Sequence, residues 1–195
     1  MMQRCCCVLA ALSAAVAVAK VIPAAPPVIA STIDLGGDNA WTLTNGSKMT
    51  AVQVTVPGQT HTDLLAAGVI DDPYNNTNSD LQRWVAMSDW TYERTFEVDA
   101  TFLQHRVVQL VSLGIDTIAS IYVNGHHVFD SSNMFHRVRL DVKSHLVAGK
   151  NNTIRVVFTS KVGAPRAQHA RSSRSHADRF VACSIKRHLS VLRAR

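Results

Sequence analysis

Between Ile33 and Ser160 apolar and polar residues alternate in short runs broken by turn-formers, which is the period-two pattern of strands with one buried face. In Thr153 to Thr159 the residues Ile154, Val156 and Phe158 alternate with Thr153, Arg155 and Val157. The same reading predicts strands over Trp41 to Thr44, Ala51 to Val56, Trp90 to Val98, Arg106 to Leu113, Ile118 to Val123, His126 to Phe129 and Arg137 to Asp141. Asn124-Gly125 joins two of them as a type I′ hairpin, because both residues tolerate positive φ. One short helix is predicted from Thr62 to Ala67, with Thr60 or Thr62 as cap, Asp63 in its first turn and Gly68 just beyond its end. The segment Asp71 to Asp80, dense in Asp, Asn, Pro and Ser, reads as a long loop. Many short strands and one helix define an all-β sandwich or barrel.

Beyond Ser160 the alternation stops. Residues 161–195 are predicted to be a disordered basic tail, in which Ala177 to Leu192 has at most the pattern of a weak amphipathic helix. The formal charge of +6 belongs to this tail: residues 162–195 hold eight bases and the single acid Asp178, whereas the rest holds twelve bases and thirteen acids. Without interleaved aromatics or a motif the charge is no sign of nucleic acid, and no nucleic-acid partner is expected. With 195 residues the chain is long enough for one domain. Its four cysteines, Cys5, Cys6, Cys7 and Cys183, all lie outside the body, which therefore has no disulfide and no thiolate metal site.

At the N-terminus Arg4, the apolar stretch Cys5 to Ala19 and the small residues Ala17-Val18-Ala19 form a signal peptide over residues 1–19, followed by a linker over 20–32. Lys20, Pro23, Pro26 and Pro27 stop the run short of the ~20 residues of a bilayer span, so no membrane partner is expected after cleavage. Entry into the secretory pathway gives meaning to three sequons, at Asn45, Asn75 and Asn151, each among turn-forming residues. The expected location is the secretory pathway, ending in the lysosome or outside the cell.

Four motifs, in order, carry a family resemblance. Val56-Pro57-Gly58 and His61 lead to Gly68, Ile70 and Asp71-Asp72-Pro73-Tyr74. Asn78 leads to Asp80-Leu81-Gln82-Arg83-Trp84-Val85, and Trp90-Thr91-Tyr92-Glu93-Arg94-Thr95-Phe96 matches a W-x-Y-x-R-x-F strand. Gly114-Ile115-Asp116-Thr117 then leads through Ala119, Tyr122 and Asn124-Gly125 to Asn133-Met134-Phe135, Asp141 and Gly149-Lys150-Asn151-Asn152. The set resembles the N-terminal domain of β-mannosidases, the lysosomal members of glycoside hydrolase family 2. That resemblance implies a jelly-roll, galactose-binding-like β-sandwich over residues 33–160, which in the full enzyme packs beside a catalytic (β/α)₈ barrel and shapes the mouth of its sugar pocket. It further implies hydrolysis of terminal β-D-mannose of glycoprotein oligosaccharides, with a β-mannoside as partner of the full enzyme and both catalytic glutamates outside this chain.

The residues themselves agree that the chain alone lacks glycosidase machinery. A retaining hydrolase needs two carboxyl groups ~5 Å apart. The only glutamates, Glu93 and Glu97, lie on one predicted strand roughly 13 Å apart. No residue is therefore assigned as catalytic, and whether the chain is itself an enzyme stays open. The aspartates of the Asp71 to Asp80 loop suit sugar hydroxyls or Ca²⁺, but turn formation accounts for them better. His126 and His127 are adjacent in a strand and point apart, which disfavours a shared ion; no metal and no cofactor is expected. Trp90 and Tyr92 read as core, while Asp80, Arg83 and Trp84 are the candidate pocket-lining residues. The alternative from another class is a secreted carbohydrate-binding module without catalytic activity.

Overall fold

A computed structural model of the chain describes residues 31–46, 51–160, 184–185 and 189–194. The signal peptide and most of the linker lie outside the described residues, as does most of the tail. Twelve strands are described: β1 Thr32–Asp34, β2 Trp41–Thr44, β3 Val52–Val54, β4 Gly58–Gln59, β5 Trp90–Glu97, β6 Val108–Ser112, β7 Ala119–Val123, β8 His126–Ser131, β9 Val138–Asp141, β10 Asn151–Phe158, β11 Ser184–Ile185 and β12 Leu189–Ala194. Four short helices, α1 Thr60–Ala66, α2 Asn78–Leu81, α3 Arg83–Met87 and α4 Ala100–Gln104, and a 3₁₀ turn at Lys143–His145 fill the connections.

The strands form a six-stranded sheet in the order β3-β2-β5-β10-β7-β8, a four-stranded sheet β1-β12-β6-β9 and a small β11-β4 pair. Every pairing is antiparallel. This is the galactose-binding-like β-sandwich, with consecutive strands exchanged between sheets. Alternation decides which face is buried: Trp90, Tyr92 and Phe96 of β5 and Ile154, Val156 and Phe158 of β10 point inward, and their odd-numbered partners point out. Val108 and Leu110 of β6 join them in one core cluster with Trp41, Leu43, Leu64 and Ile121. Burying an aromatic or branched side chain of this kind contributes about 1.5–3 kcal/mol.

The β7–β8 hairpin closes through Asn124 (φ 48°) and Gly125 (φ 80°), the type I′ geometry the sequence predicts. Its Asn124 also ties the hairpin to β10. The side chain donates to Asn152 Oδ1 (2.8 Å) and to the His145 carbonyl, and accepts from the Thr153 amide (2.7 Å). Asn152, fully buried, closes the network on the Val147 amide and the Val147 and Lys150 carbonyls.

At residues 184–185 and 189–194, the described part of the tail, the structure corrects the expected disorder and the boundary at residue 160. Leu189–Ala194 is a strand inserted between β1 and β6, in register with Val108 to Ser112, and Ser184–Ile185 pairs with Gly58–Gln59. The physical reason is a vacant ladder: without β12 the amides and carbonyls of β6 on that side have no strand to pair with. A helix over Ala177 to Leu192 is likewise overturned where residues are described. The expected loop at Asp71 to Asp80 runs into the unpredicted α2, and the unpredicted α3 follows it. The predicted helix starts two residues earlier, with Gln59 as N-cap and no side-chain cap bond, so neither Thr60 nor Thr62 caps it.

Candidate functional site

The segment that carries Asp80, Arg83 and Trp84 is built on turns that the acidic and amide side chains make for themselves. Asp72 Oδ1 accepts from the Tyr74 amide (2.9 Å), Asn78 donates to the Asp72 carbonyl (3.0 Å) and Gln82 donates to the Asp71 carbonyl (2.9 Å). Those bonds are the turn role of such residues, and they bring the chain into α2 and α3. From below, the buried Trp90 indole donates to the Val85 carbonyl (2.8 Å), and Ser160 at the end of β10 donates its hydroxyl to the Ala86 carbonyl and its amide to Asp89. A helix of five residues is thereby pinned to the core.

On that platform Asp80, Arg83 and Trp84 sit within one turn of each other and all are exposed, Trp84 at 39% with its ring 6.0 Å from Trp90. Among the described residues no ion pair joins Asp80 to Arg83. Leu81 (72% exposed), Trp84 and Met87 recur every third residue and form an apolar stripe. The platform is thus more apolar than three candidate residues in a loop would imply.

Two other sites hold polar side chains under constraint. Asp63, in the first turn of α1, accepts from the Tyr92 hydroxyl (2.8 Å), and its carboxylate oxygens crowd Gly58, where an added Cβ would lie 3.0 Å from one of them and closer still to the Thr55 carbonyl. Burial pushes the Asp63 carboxyl up to about 6, partly offset by the Tyr92 bond. The adjacent His61 is pushed below the ordinary histidine value by burial. On β5, Arg94 forks onto Asp38 (2.5 and 2.9 Å) and also donates to the Leu35 carbonyl (2.6 Å), which the Trp41 indole shares (2.6 Å). That cluster fixes the loop from Leu35 to Ala40 across the sheet.

The outward side of the six-stranded sheet is polar. A cleft of about 220 Å³ between β2 and β5 is lined by Ala40, Thr42, Thr44, Glu93, Arg94 and Thr95. Glu93, in the cleft, and Glu97, outside it, lie on this outward face, exposed and four residues apart on β5. Next to them the Arg155 guanidinium lies 4.9 Å over the Tyr122 ring, and His127, 5.4 Å from that ring, bonds Asp130 (2.8 Å). Hydrogen bonds from Ser120 and then His127 hold the Asp130 carboxyl below the usual range. His126 turns instead to His145, at 5.0 Å, so the two neighbouring histidines have separate partners. The sequence missed this row because cross-strand register, not local pattern, assembles it.

Of the sequons, Asn75 and Asn151 are exposed, whereas Asn45 is only 8% exposed at the end of β2.

The architecture and its polar outer sheet define a galactose-binding-like β-sandwich module. Residues 41–193 match the family described as glycosyl hydrolase 2 galactose-binding domain-like, and the chain belongs to that family. The match runs through β12, in agreement with its place in the sheet. The chain is 35% identical over 126 residues to β-mannosidase A of Emericella nidulans, covering 61% of this chain and 13% of that protein. It is 34% identical over 131 residues to β-mannosidase of Capra hircus, covering 67% and 14%. Among solved structures, β-D-mannosidase of Dictyoglomus thermophilum superposes with a TM-score of 0.73 at 28% identity, covering 84% of this chain and 22% of that one. A β-D-glucuronidase of the same organism, at 17% identity and a TM-score of 0.57, shares the fold. The chain spans 13–14% of the length of the curated β-mannosidases named here.

Proposed function

We propose that this chain is the N-terminal domain, or a truncated form, of a lysosomal β-mannosidase that hydrolyses terminal β-D-mannose of glycoprotein oligosaccharides, and that the chain alone is inactive. The observation that carries the reading is the mannosidase likeness in sequence and shape together, 34–35% identity over most of the sandwich and a TM-score of 0.73. Inactivity rests on carboxylate geometry. Glu93 and Glu97 are four residues apart on one strand, roughly 13 Å, beyond both the ~5 Å of a retaining pair and the ~6.5–9.5 Å of an inverting pair. Asp63, the carboxyl with the raised value, is turned to Tyr92 inside the fold.

In this reading Asp80, Arg83 and Trp84, on their pinned platform, contribute to the rim of a sugar pocket completed by other domains. Passage through the secretory pathway would allow glycans at Asn75 and Asn151, and at Asn45 only before folding buries it. Incubating the purified chain with a chromogenic β-mannoside is expected to give no turnover. Turnover that disappears in Glu93→Gln or Glu97→Gln would overturn the assignment of catalysis to other domains. A transcript continuing in frame into a (β/α)₈ barrel would support the enzyme reading directly.

A further inference from the structure

His126 and His145 belong to separate elements and meet beside the β7–β8 turn. His126 opens β8, directly after Asn124-Gly125, and His145 ends the 3₁₀ turn at Lys143–His145. Their ring centroids are 5.0 Å apart, with the planes inclined at 31°. We propose that these two imidazoles form a binding site for a divalent transition-metal ion of the zinc or copper class, which clamps the β7–β8 hairpin to the turn at 143–145.

The backbone holds the pair in place before any ion arrives. Asn124 Nδ2 donates to the His145 carbonyl (2.6 Å) and to Asn152 Oδ1 (2.8 Å), while Asn124 Oδ1 accepts from the Thr153 amide (2.7 Å). The His145 amide donates to the Val142 carbonyl (2.9 Å), and His126 is in register with Val123. Each histidine is thus fixed by its own element, and one asparagine side chain ties the two elements together. Ligands that are already ordered lose less freedom on binding than ligands drawn from mobile segments. The rings themselves are uncommitted: among the described residues neither makes a hydrogen bond through a ring nitrogen. His127, by contrast, is engaged by Asp130 (2.8 Å) and by the edge of the Tyr122 ring.

The separation suits a shared ion. An imidazole nitrogen binds zinc at ~2.0–2.1 Å, which puts the ring centroid about 3.2 Å from the metal. Two such rings at a ligand–metal–ligand angle of roughly 90–109° have centroids about 4.5–5.2 Å apart, a range that contains the observed 5.0 Å. The donor type selects the class of ion, because neutral imidazole suits Zn²⁺, Cu²⁺ and Ni²⁺ whereas Mg²⁺ and Ca²⁺ ask for oxygens. Among the described residues no third histidine, cysteine or carboxylate completes a cluster with the pair, so water fills the remaining positions. Two protein ligands are half the set of a structural zinc site, and the affinity expected is micromolar to submillimolar. Local sequence sets His126 beside His127, and only the fold brings it to His145.

The test is titration of the full chain with Zn²⁺, its thiols first alkylated so that Cys5, Cys6, Cys7 and Cys183 do not compete. Zn²⁺ should shift the backbone amides of Val123 to His127 and of Lys143 to Leu146 and raise the thermal midpoint, and Mg²⁺ at the same concentration should do neither. His126→Ala and His145→Ala should each weaken the response at those amides by about tenfold or more, whereas His127→Ala should leave it unchanged. Because His126 is exposed, the His126→Ala chain should keep its metal-free midpoint within a few degrees, which separates lost binding from lost folding. Shifts confined to other histidines, or no shift at millimolar Zn²⁺, would overturn the proposal. So would an equal response to Mg²⁺, or an undiminished response at the hairpin in the His126→Ala, His145→Ala double variant.

Discussion

Asp63 shows how one residue sets a pH dependence opposite to that of most carboxylates. Its folded value of about 6 lies above the 3.8 of the unfolded chain, chiefly because α1 buries it beside Tyr92 and Gly58. The folded state therefore binds the proton more tightly, and Asp63 adds stability as pH falls from about 6 towards 4. The neighbouring His61 works against it: its lowered value favours the neutral ring in the folded state, so its contribution is lost as pH falls below 6.5. Only the difference between parent and variant isolates the carboxyl. Asp63→Asn, which can still accept from Tyr92, should raise the melting midpoint at pH 7.5 and raise it much less at pH 4.5; equal shifts at both pH values would refute this account. Buried amides give a second contrast at residue scale. Asn152 satisfies two carbonyls and one amide of the 147–150 turn and holds Asn124, so Asn152→Ala should cost about 2–4 kcal/mol in chemical denaturation while preserving the Asn151-Asn152-Thr153 sequon. Asn151→Gln, exposed on the other face, should stay within about 0.5 kcal/mol.

At the scale of elements, β12 makes the strongest test. It lies between β1 and β6 and is the only partner of β1 among the described strands. A chain cut at Ser160 leaves Val108 to Ser112 paired on one side only, an exposed edge that recruits other strands. In hydrogen exchange the amides of Val108 to Ser112 should lose protection in the shortened chain, and sedimentation should show association; full protection in a monomer would mean that β12 contributes nothing to the sheet. The contrast with the sequence reading is physical. Strands such as Trp41–Thr44 and Ala119–Val123 were legible because each alternates within itself and ends at turn-formers. Leu189–Ala194 sits in a segment whose Arg, Ser and His content resembles a solvated chain, and nothing local reveals that a ladder elsewhere awaits it. Helices α2 and α3 were hidden for other reasons: Asn78, Ser79 and Asp80 of α2 signal turns, and α3, five residues long, is held in place by tertiary bonds from Trp90 and Ser160. Of the candidate site, Asp80, Arg83 and Trp84 were singled out because they end or flank the expected Asp71 to Asp80 loop, not through any helical spacing. The row from Thr42 to His127 was not, because a period of two identifies the outward face of each strand without saying which strands lie side by side.

For the molecule as a whole, the question is how a sandwich that matches 13–14% of the β-mannosidases named above behaves alone. Its interior is complete: the two sheets enclose one cluster that includes Trp41, Trp90, Tyr92 and Phe158, none of them measurably exposed. A self-sufficient core of this kind should unfold cooperatively without other domains. Its surface is less self-sufficient, because Leu81, Trp84 and Met87 present an apolar stripe on a platform that the core holds rigid. Such a stripe on an isolated monomer favours association, whereas the polar outer sheet opposes it. The two effects separate by substitution. Leu81→Lys with Met87→Lys replaces two largely exposed apolar side chains and leaves Trp84 against Trp90. The double variant should therefore sediment as monomer at concentrations where the parent associates, with a melting midpoint within a few degrees of the parent. Association undiminished by the double change would exclude the stripe as its cause and turn attention to the edge strands β3 and β8, which lie at the margins of the six-stranded sheet.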